Sequence, residues 1–360
     1  MKTLICNEPG RLSLIERDVP TPAQGEVLVR IRRIGICGTD FHIYQGKHPF
    51  LEYPRVMGHE LSGTVEDAGG SSRLKKGEKV YIVPYLACGK CIACRRGINN
   101  ACQSLSVLGV HRDGGMTEFI CVPEGNVISA GKASLDEAAM IEFLAIGAHG
   151  VKRGGITASD RVLVVGAGPI GMSAIIFAKA RGADVTVMDM REDRLDFTIA
   201  SLSADRTLLA NDEAEAHAKR LTDGDFFDVV IDATGNAKAM QRGFGFVAHG
   251  GRYVLVSVVR DDITFSDPEF HKRETTLFAS RNAQPDDFAE VVRQMENGRV
   301  PTAALNTHRG LLEDGPGLFR EWLKPEAGVI KAILEMGDPA TSEDCKQSVK
   351  RAPAHNRTLG

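Results

Sequence analysis

The chain has 360 residues and a mass of 38.9 kDa, enough for two domains with separate cores. Its composition is that of an ordinary globular protein, and a net charge of −3 gives no reason to expect nucleic-acid or anionic-membrane binding. No apolar run approaches the ~20 residues of a membrane span, and the opening Met1-Lys2-Thr3-Leu4-Ile5-Cys6 has no export-signal pattern. The eight cysteines are therefore expected as reduced or metal-bound thiols in a cytoplasmic protein.

Residues 1–148 carry short runs rich in Val and Ile at 26–31, 63–66, 79–83 and 119–122. Pro20, Pro22, Gly25, Gly69-Gly70 and Gly114-Gly115 break them, which predicts a mostly antiparallel β domain, in the form of a barrel, whose loops hold the metal-capable side chains. The first such loop is Cys37-Gly38-Thr39-Asp40-Phe41-His42, answered by Gly58-His59-Glu60. A thiolate and an imidazole with carboxylates nearby suit a zinc ion that keeps one position open. Asp40 is expected to accept a hydrogen bond from the ligating imidazole. Thr39 offers a hydroxyl that can take up an alcohol proton, and His42 is the next stop toward solvent. A third protein ligand must be an oxygen donor, and two residues qualify, Glu60 and Glu142. Glu142 lies in Ala139-Met140-Ile141-Glu142-Phe143-Leu144, where a carboxylate is costly unless it is paired or bound to metal.

Between these two glutamates, Cys88, Cys91, Cys94 and Cys102 are spaced C-x2-C-x2-C-x7-C. Four thiolates fill a tetrahedral zinc shell and leave no place for water, so this second zinc is expected to be structural. An iron–sulfur cluster or a redox pair would use similar spacings, but four cysteines so close together in a reduced chain favour zinc.

From 149 to 285 the rhythm changes to strand alternating with helix. Strands are expected at 161–165, 184–188, 206–209, 228–231, 252–258 and 276–280, with helices such as 170–181 and 214–222 between them. This predicts a parallel, doubly wound α/β sheet buried on both faces. The first strand runs into Gly166-Ala167-Gly168-Pro169-Ile170-Gly171, where G-x-G-x-x-G opens a helix and offers its N–H groups to a pyrophosphate. The next strand ends near Asp189, about twenty residues on, as a dinucleotide site requires. Asp189 would accept from the ribose hydroxyls and repel a 2′-phosphate, which favours NAD over NADP. Arg191 and Arg194 are the side chains that could hold that phosphate, their alternative being a solvated helix face. A helix at 286–297 and a strand at 328–335 are expected to return to the first domain, so that residues 286–337 complete it. Residues 338–360 have no periodic pattern and read as a surface tail.

Together Cys37-x-Thr39-Asp40, Gly58-His59-Glu60, the four-cysteine lobe and the 166–171 fingerprint resemble the zinc-containing medium-chain alcohol dehydrogenases, in particular their sorbitol, threonine and sugar-acid branch. The resemblance spans residues 1 to about 336 and implies a GroES-like catalytic domain plus a Rossmann cofactor domain. It implies catalytic-zinc ligands at Cys37, His59, Glu60 and Glu142, a proton relay through Thr39 and His42, and coenzyme contacts at Asp189, Asp232-Ala233-Thr234-Gly235 and Ser280-Arg281-Asn282. It also implies a homodimer or homotetramer. Phe143 follows Glu142 where the family commonly has proline, a departure that bears on the shape of the substrate pocket.

Candidate pocket residues are Tyr44, Phe50, His111, Arg112, Asp113 and Phe143. The polar, basic His111-Arg112-Asp113 favours a polyol, sugar or aldonic acid, or the corresponding ketone, as the small-molecule substrate, with L-threonine as the runner-up. Two rivals keep the fold: a zinc-free NADPH-dependent enone reductase, and a non-catalytic dinucleotide-binding regulator. Cys37, His59, Glu142 and Asp189 argue against the first, and the intact relay residues against the second. A nucleic-acid zinc module is disfavoured by the acidic balance.

Overall fold

The computed structural model describes residues 1–48 and 51–337. Phe50 and the 338–360 tail lie outside the described residues. The long strand Glu26–Ile36 is the spine of the first domain. It pairs antiparallel with Glu60–Asp67, Phe119–Pro123 and Lys331–Glu335, and its valines and isoleucines are buried. The sheet path runs from Val127–Ser129 through Lys79–Ile82, Glu60–Asp67, Glu26–Ile36 and Lys331–Glu335 to Asn306–Leu311. Among the described residues that path does not close on itself, and strand Lys2–Glu8 joins its Phe119–Pro123 branch through backbone bonds from the Leu4 N–H to Met116 and from the Glu118 N–H to Lys2. The register sets Gly35 opposite Glu60 and Ile36 opposite Ala332. One end of the spine therefore gathers Cys37, Glu60 and Lys331 from segments far apart in sequence.

Six parallel strands form the second sheet in the spatial order Arg206–Leu209, Asp184–Asp189, Arg161–Val165, Phe227–Asp232, Val247–Leu255, Thr276–Ala279. This is the 3-2-1-4-5-6 arrangement, whose crevice opens at the carboxyl ends of the first and fourth strands. Val162, Val164, Val229, Ile231 and Val254 belong to the larger core and Leu163, Val165 and Val230 to a second one, so helices cover both faces. Helix Ile141–Arg153, which carries Glu142, packs on helix Pro169–Ala180. Ser173 Oγ donates to the Leu144 carbonyl at 2.8 Å there.

Several boundaries differ from expectation for local reasons. The fifth strand begins at Val247, because Phe227 pairs with Val247 before a bulge, and it ends at Leu255, leaving Val258 exposed. The last strand begins only at Lys331, because Gly328 ends a short 3-10 turn with φ 65°. The segment after Cys37 is a helix, Gly38–Tyr44, where a loop was expected.

Candidate active site and metal centres

Cys37 is the N-cap residue of helix Gly38–Tyr44, and Asp40 occupies that helix's third position. The Asp40 carboxylate is buried and ties together the two loops that bring the nitrogen and sulfur donors. One oxygen accepts from the Cys37 N–H at 2.9 Å and the other from the Gly58 N–H at 3.3 Å. His59 Nδ1 lies 3.8 Å from Asp40 Oδ1, too far for a hydrogen bond, and is a buried nitrogen without a partner. The expected imidazole–Asp40 hydrogen bond is thus replaced by an electrostatic contact, because the carboxylate is spent on backbone N–H groups. Burial disfavours the imidazolium, but Asp40 and then Cys37 outweigh it and hold the His59 pKa well above its usual 6.5.

Donor atoms of Cys37, His59 and Glu60 lie within 4.8 Å of one another. Donors sharing one tetrahedral zinc stand about 3.5 Å apart, so the sulfur, nitrogen and oxygen fit a single ion with small adjustments. The space beside Glu60 is kept by Gly35, where a Cβ would sit 2.1 Å from Glu60 Oε2. Glu142 is buried but lies outside that 4.8 Å group, and its carboxylate accepts a hydrogen bond from the Tyr85 hydroxyl. Burial, above all, raises the Glu142 pKa, with His59 opposing.

Two residues here escaped the sequence reading. Lys331 is buried and donates to both oxygens of Glu60. A lone cation inside Val329-Ile330-Lys331-Ala332-Ile333-Leu334 carries the same signal that singled out Glu142. Tyr85 lies on a two-residue strand before the cysteine run, where nothing in the pattern marks it.

Cys88, Cys91, Cys94 and Cys102 form the second cluster, with Sγ–Sγ distances of 4.0, 3.5 and 3.9 Å for the pairs 88–94, 91–94 and 91–102. Sulfurs at the corners of a zinc tetrahedron stand about 3.8 Å apart, so the four thiols fit one closed ion. Backbone N–H groups, first that of Cys94 and then that of Gln103, pull the Cys91 pKa down to about 6, toward the thiolate a metal requires.

In the second domain Gly166 has φ 96°. A Cβ at Gly171 would sit 1.8 Å from the Gly166 carbonyl oxygen, whereas one at Gly168 would meet nothing within 4 Å. That open space before Pro169 and Ile170, at the start of a twelve-residue helix, fits an approaching pyrophosphate. Asp189 ends its strand half-buried and accepts from the Ala167 N–H at 2.7 Å, so it also braces the glycine turn. Thr234 donates through both its N–H and its hydroxyl to Asp232. Arg191 pairs with Asp193, while Arg194 is buried and donates to the Val329 carbonyl at 2.6 Å. Arg194 is therefore an interdomain tie and not a solvated face.

Among the candidate pocket residues, Tyr44 is in the core against Phe319, and Phe143 lies beneath the Lys331 ammonium at 4.2 Å. Asp113 is taken up by Arg17 and the Val56 N–H. His111 is exposed, and burial, then Arg281 and Arg55, lower its pKa. His48, which no motif marked, lies in the same field, lowered by burial, then by His111, His42 and Arg260.

Residues 23–132 match the alcohol dehydrogenase GroES-like domain and residues 169–297 the zinc-binding dehydrogenase domain. The chain is 43% identical over 310 residues to L-galactonate-5-dehydrogenase of Escherichia coli K12, covering 86% of this chain and 91% of that one. The RspB alcohol dehydrogenase of E. coli CFT073, solved with NADH, superposes with a TM-score of 0.88 at 30% identity, covering 93% and 99% of the two chains. L-idonate 5-dehydrogenase of E. coli K-12 gives 0.86 at 25%, covering 93% and 98%. No helix among the described residues is long and apolar enough to cross a membrane. The chain is a member of the zinc-containing alcohol dehydrogenase family, and its activity is that of a dehydrogenase acting on a small-molecule alcohol.

Proposed function

We propose that this enzyme oxidises a secondary hydroxyl of an aldonic acid with NAD, and reduces the corresponding keto acid in reverse. The observation that carries the reading is the Cys37–His59–Glu60 donor set, converging within 4.8 Å. Held by Cys37, His59 and Glu60, zinc would supply a Lewis acid for the hydroxyl oxygen, and bound NAD would supply the hydride acceptor.

The chain's own residues do the rest. Thr39 and His42 are three positions apart on one helix, which aligns them on one face from the half-buried metal loop to the exposed side. The Thr39 hydroxyl, 3.9 Å from Cys37 Sγ, accepts the alcohol proton, and His42 carries it toward solvent. Glu60 and Glu142 would supply exchangeable carboxylates to the metal, the first held by buried Lys331 and the second by half-buried Tyr85. Cys88, Cys91, Cys94 and Cys102 hold the structural ion. Gly166, Gly168, Pro169, Ile170, Gly171, Asp189, Arg194, Thr234, Arg281 and Asn282 would hold the coenzyme.

An acidic substrate is favoured by the charges around this centre. His48 is in the field of His111, His42 and Arg260, and His111 in that of Arg281 and Arg55. The arginines are the cations here, and a substrate carboxylate would have to meet them away from the acidic Asp40, Glu60 and Glu142. The similarity to L-galactonate-5-dehydrogenase supports the same class. The edge strand Thr276–Ala279 pairs on one side only among the described residues, and we place a dimer contact there, a second copy continuing the sheet.

Zinc analysis combined with an NAD-reduction screen over aldonates, neutral polyols and amino alcohols tests the reading. Aldonates are expected to give the highest kcat/KM. A better neutral polyol would overturn the acid assignment, and zinc-free turnover would overturn the metal assignment.

A further inference from the structure

Asn100 lies two residues before Cys102, on the 3-10 turn Asn99–Ala101 of the four-cysteine lobe, and is buried. Its hydrogen-bonding capacity is spent outside that lobe. Nδ2 donates to the Arg281 carbonyl at 2.8 Å and to His149 Nε2 at 3.2 Å. Oδ1 accepts from Gln284 Nε2 at 3.1 Å, and the Asn100 carbonyl accepts from Asn282 Nδ2 at 3.3 Å. The Asn100 side-chain amide thus grips Arg281 and Gln284, and its main-chain carbonyl holds Asn282, in the segment that follows strand Thr276–Ala279.

That segment is held in an unusual shape. Asn282 has φ 52°, a left-handed conformation that side-chain-bearing residues keep only when their surroundings impose it. The imposing contacts come from Asn100 on one side and from the start of helix Pro285–Glu296 on the other, where the Gln284 N–H donates to Asp287 at 2.8 Å. His149 closes the circuit. Its Nε2 accepts from Asn100, so its Nδ1–H donates to Asp287 at 2.7 Å. His149 also lies seven residues beyond Glu142 on helix Ile141–Arg153, two turns along the same face.

We propose that Asn100 is a positioning residue for the coenzyme, cocking the 280–282 loop so that closure of the four-cysteine lobe sets dinucleotide affinity. The proposal rests on the reading that Arg281 and Asn282 meet the coenzyme. Cys102 fixes the backbone beside Asn100, its N–H donating to the Asn99 carbonyl at 3.1 Å. When the four sulfurs converge on one ion, Asn100 is presented to the loop. When they separate, Asn100 moves with them, and the side-chain grip on Arg281 and Gln284 either side of the left-handed turn at Asn282 is lost.

The test uses the full-length, zinc-loaded protein and NADH binding followed by coenzyme fluorescence. Asn100→Ala is expected to raise the NADH Kd about tenfold, with zinc content unchanged. Turnover at saturating NAD should stay within about twofold, so the effect falls on KM for NAD and not on kcat. Asn100→Asp, nearly isosteric, keeps the acceptor oxygen but sets an oxygen against the Arg281 carbonyl, and should weaken NADH binding to the same degree. Arg281→Ala separates the two layers of the argument. If it weakens NADH binding while both Asn100 variants bind as wild type does, the positioning role is wrong and the loop reading stands. If Arg281→Ala binds NADH normally, the loop reading falls and the proposal falls with it.

Discussion

Lys331 Nζ lies 2.7 Å from each carboxylate oxygen of Glu60, in a place solvent does not reach. The same ammonium donates to the Ile36 carbonyl at 3.2 Å and stands over the Phe143 ring. Burial alone would drive its proton off, but Glu60 above all, then Cys37, holds the pKa above its usual value. The fixed cation therefore sits behind one metal-capable carboxylate and competes with the metal for its charge. Tyr85 does the same more weakly for Glu142, because a neutral phenol is the partner there. Two buried carboxylates with unequal restraints are what a metal site needs if its oxygen ligand is to change during turnover.

Replacing Lys331 by Met strips Glu60 of its partner while roughly keeping the volume. Leaving one member of a buried ion pair costs about 3–5 kcal/mol when nothing else neutralises it. Zinc would neutralise it, so the variant is expected to lose most stability in the presence of chelator and much less with zinc bound. Thermal unfolding with and without chelator measures the difference. Equal destabilisation in both conditions would show that Lys331 acts independently of the metal donors.

Substituting Thr39 by Val removes the hydroxyl next to Cys37 while nearly preserving shape. A lost proton-transfer group typically lowers the rate by about 10²-fold or more, so kcat should fall to that extent with zinc content and NADH affinity retained. Wild-type turnover in this variant would dismiss the relay.

The pH profile reports the next member of that route. His42 has its pKa lowered from the usual 6.5, first by burial and then by Lys47. Only neutral imidazole accepts a proton, so alcohol oxidation should hold its plateau down to pH values below 6.5 before falling. Lys47→Glu removes a repelling cation and adds an attracting anion, which should move the acid limb of kcat upward. A limb that stays in place would detach His42 from the rate.

What was legible in the sequence was local. The fingerprint at 166–171, the cysteine spacing at 88–102 and the Cys37 and His59 loops are short motifs whose chemistry is carried by neighbours in the chain. What was not legible depended on pairings across the fold. The Lys331–Glu60 contact exists because strand Lys331–Glu335 returns beside Glu26–Ile36, which also pairs with the strand opening at Glu60. Tyr44 and Asp113 looked available because their polar atoms and position near the motifs suggested a pocket. The fold spends one on packing against Phe319 and the other on Arg17 and the Val56 N–H. Asp40 was expected to accept from the His59 imidazole, but its hydrogen bonds go to the Cys37 and Gly58 backbone N–H groups, which no side-chain pattern reveals.

Coenzyme choice follows from how Asp189 and its neighbours are committed. One Asp189 oxygen accepts from Ala167 at 2.7 Å and the other from the Arg191 N–H at 2.9 Å. In the proposed coenzyme site its negative charge would face the adenosine ribose and repel a 2′-phosphate. Arg191 is engaged by Asp193, and Arg194 donates through Nη2 to the Val329 carbonyl while its Nη1 is buried without a partner. Asp189→Asn keeps an acceptor for the glycine turn and removes the charge, so NAD preference over NADP should fall by about tenfold, the effect of ~1.4 kcal/mol. Most of that change should come from weaker NAD binding, because Arg191 is still held by Asp193. Adding Asp193→Ala frees Arg191 and should raise kcat/KM for NADP itself. Measuring kcat/KM for both coenzymes across the single and double variants decides the matter: a wild-type enzyme that uses NADP as readily as NAD would remove Asp189 from the selectivity argument altogether.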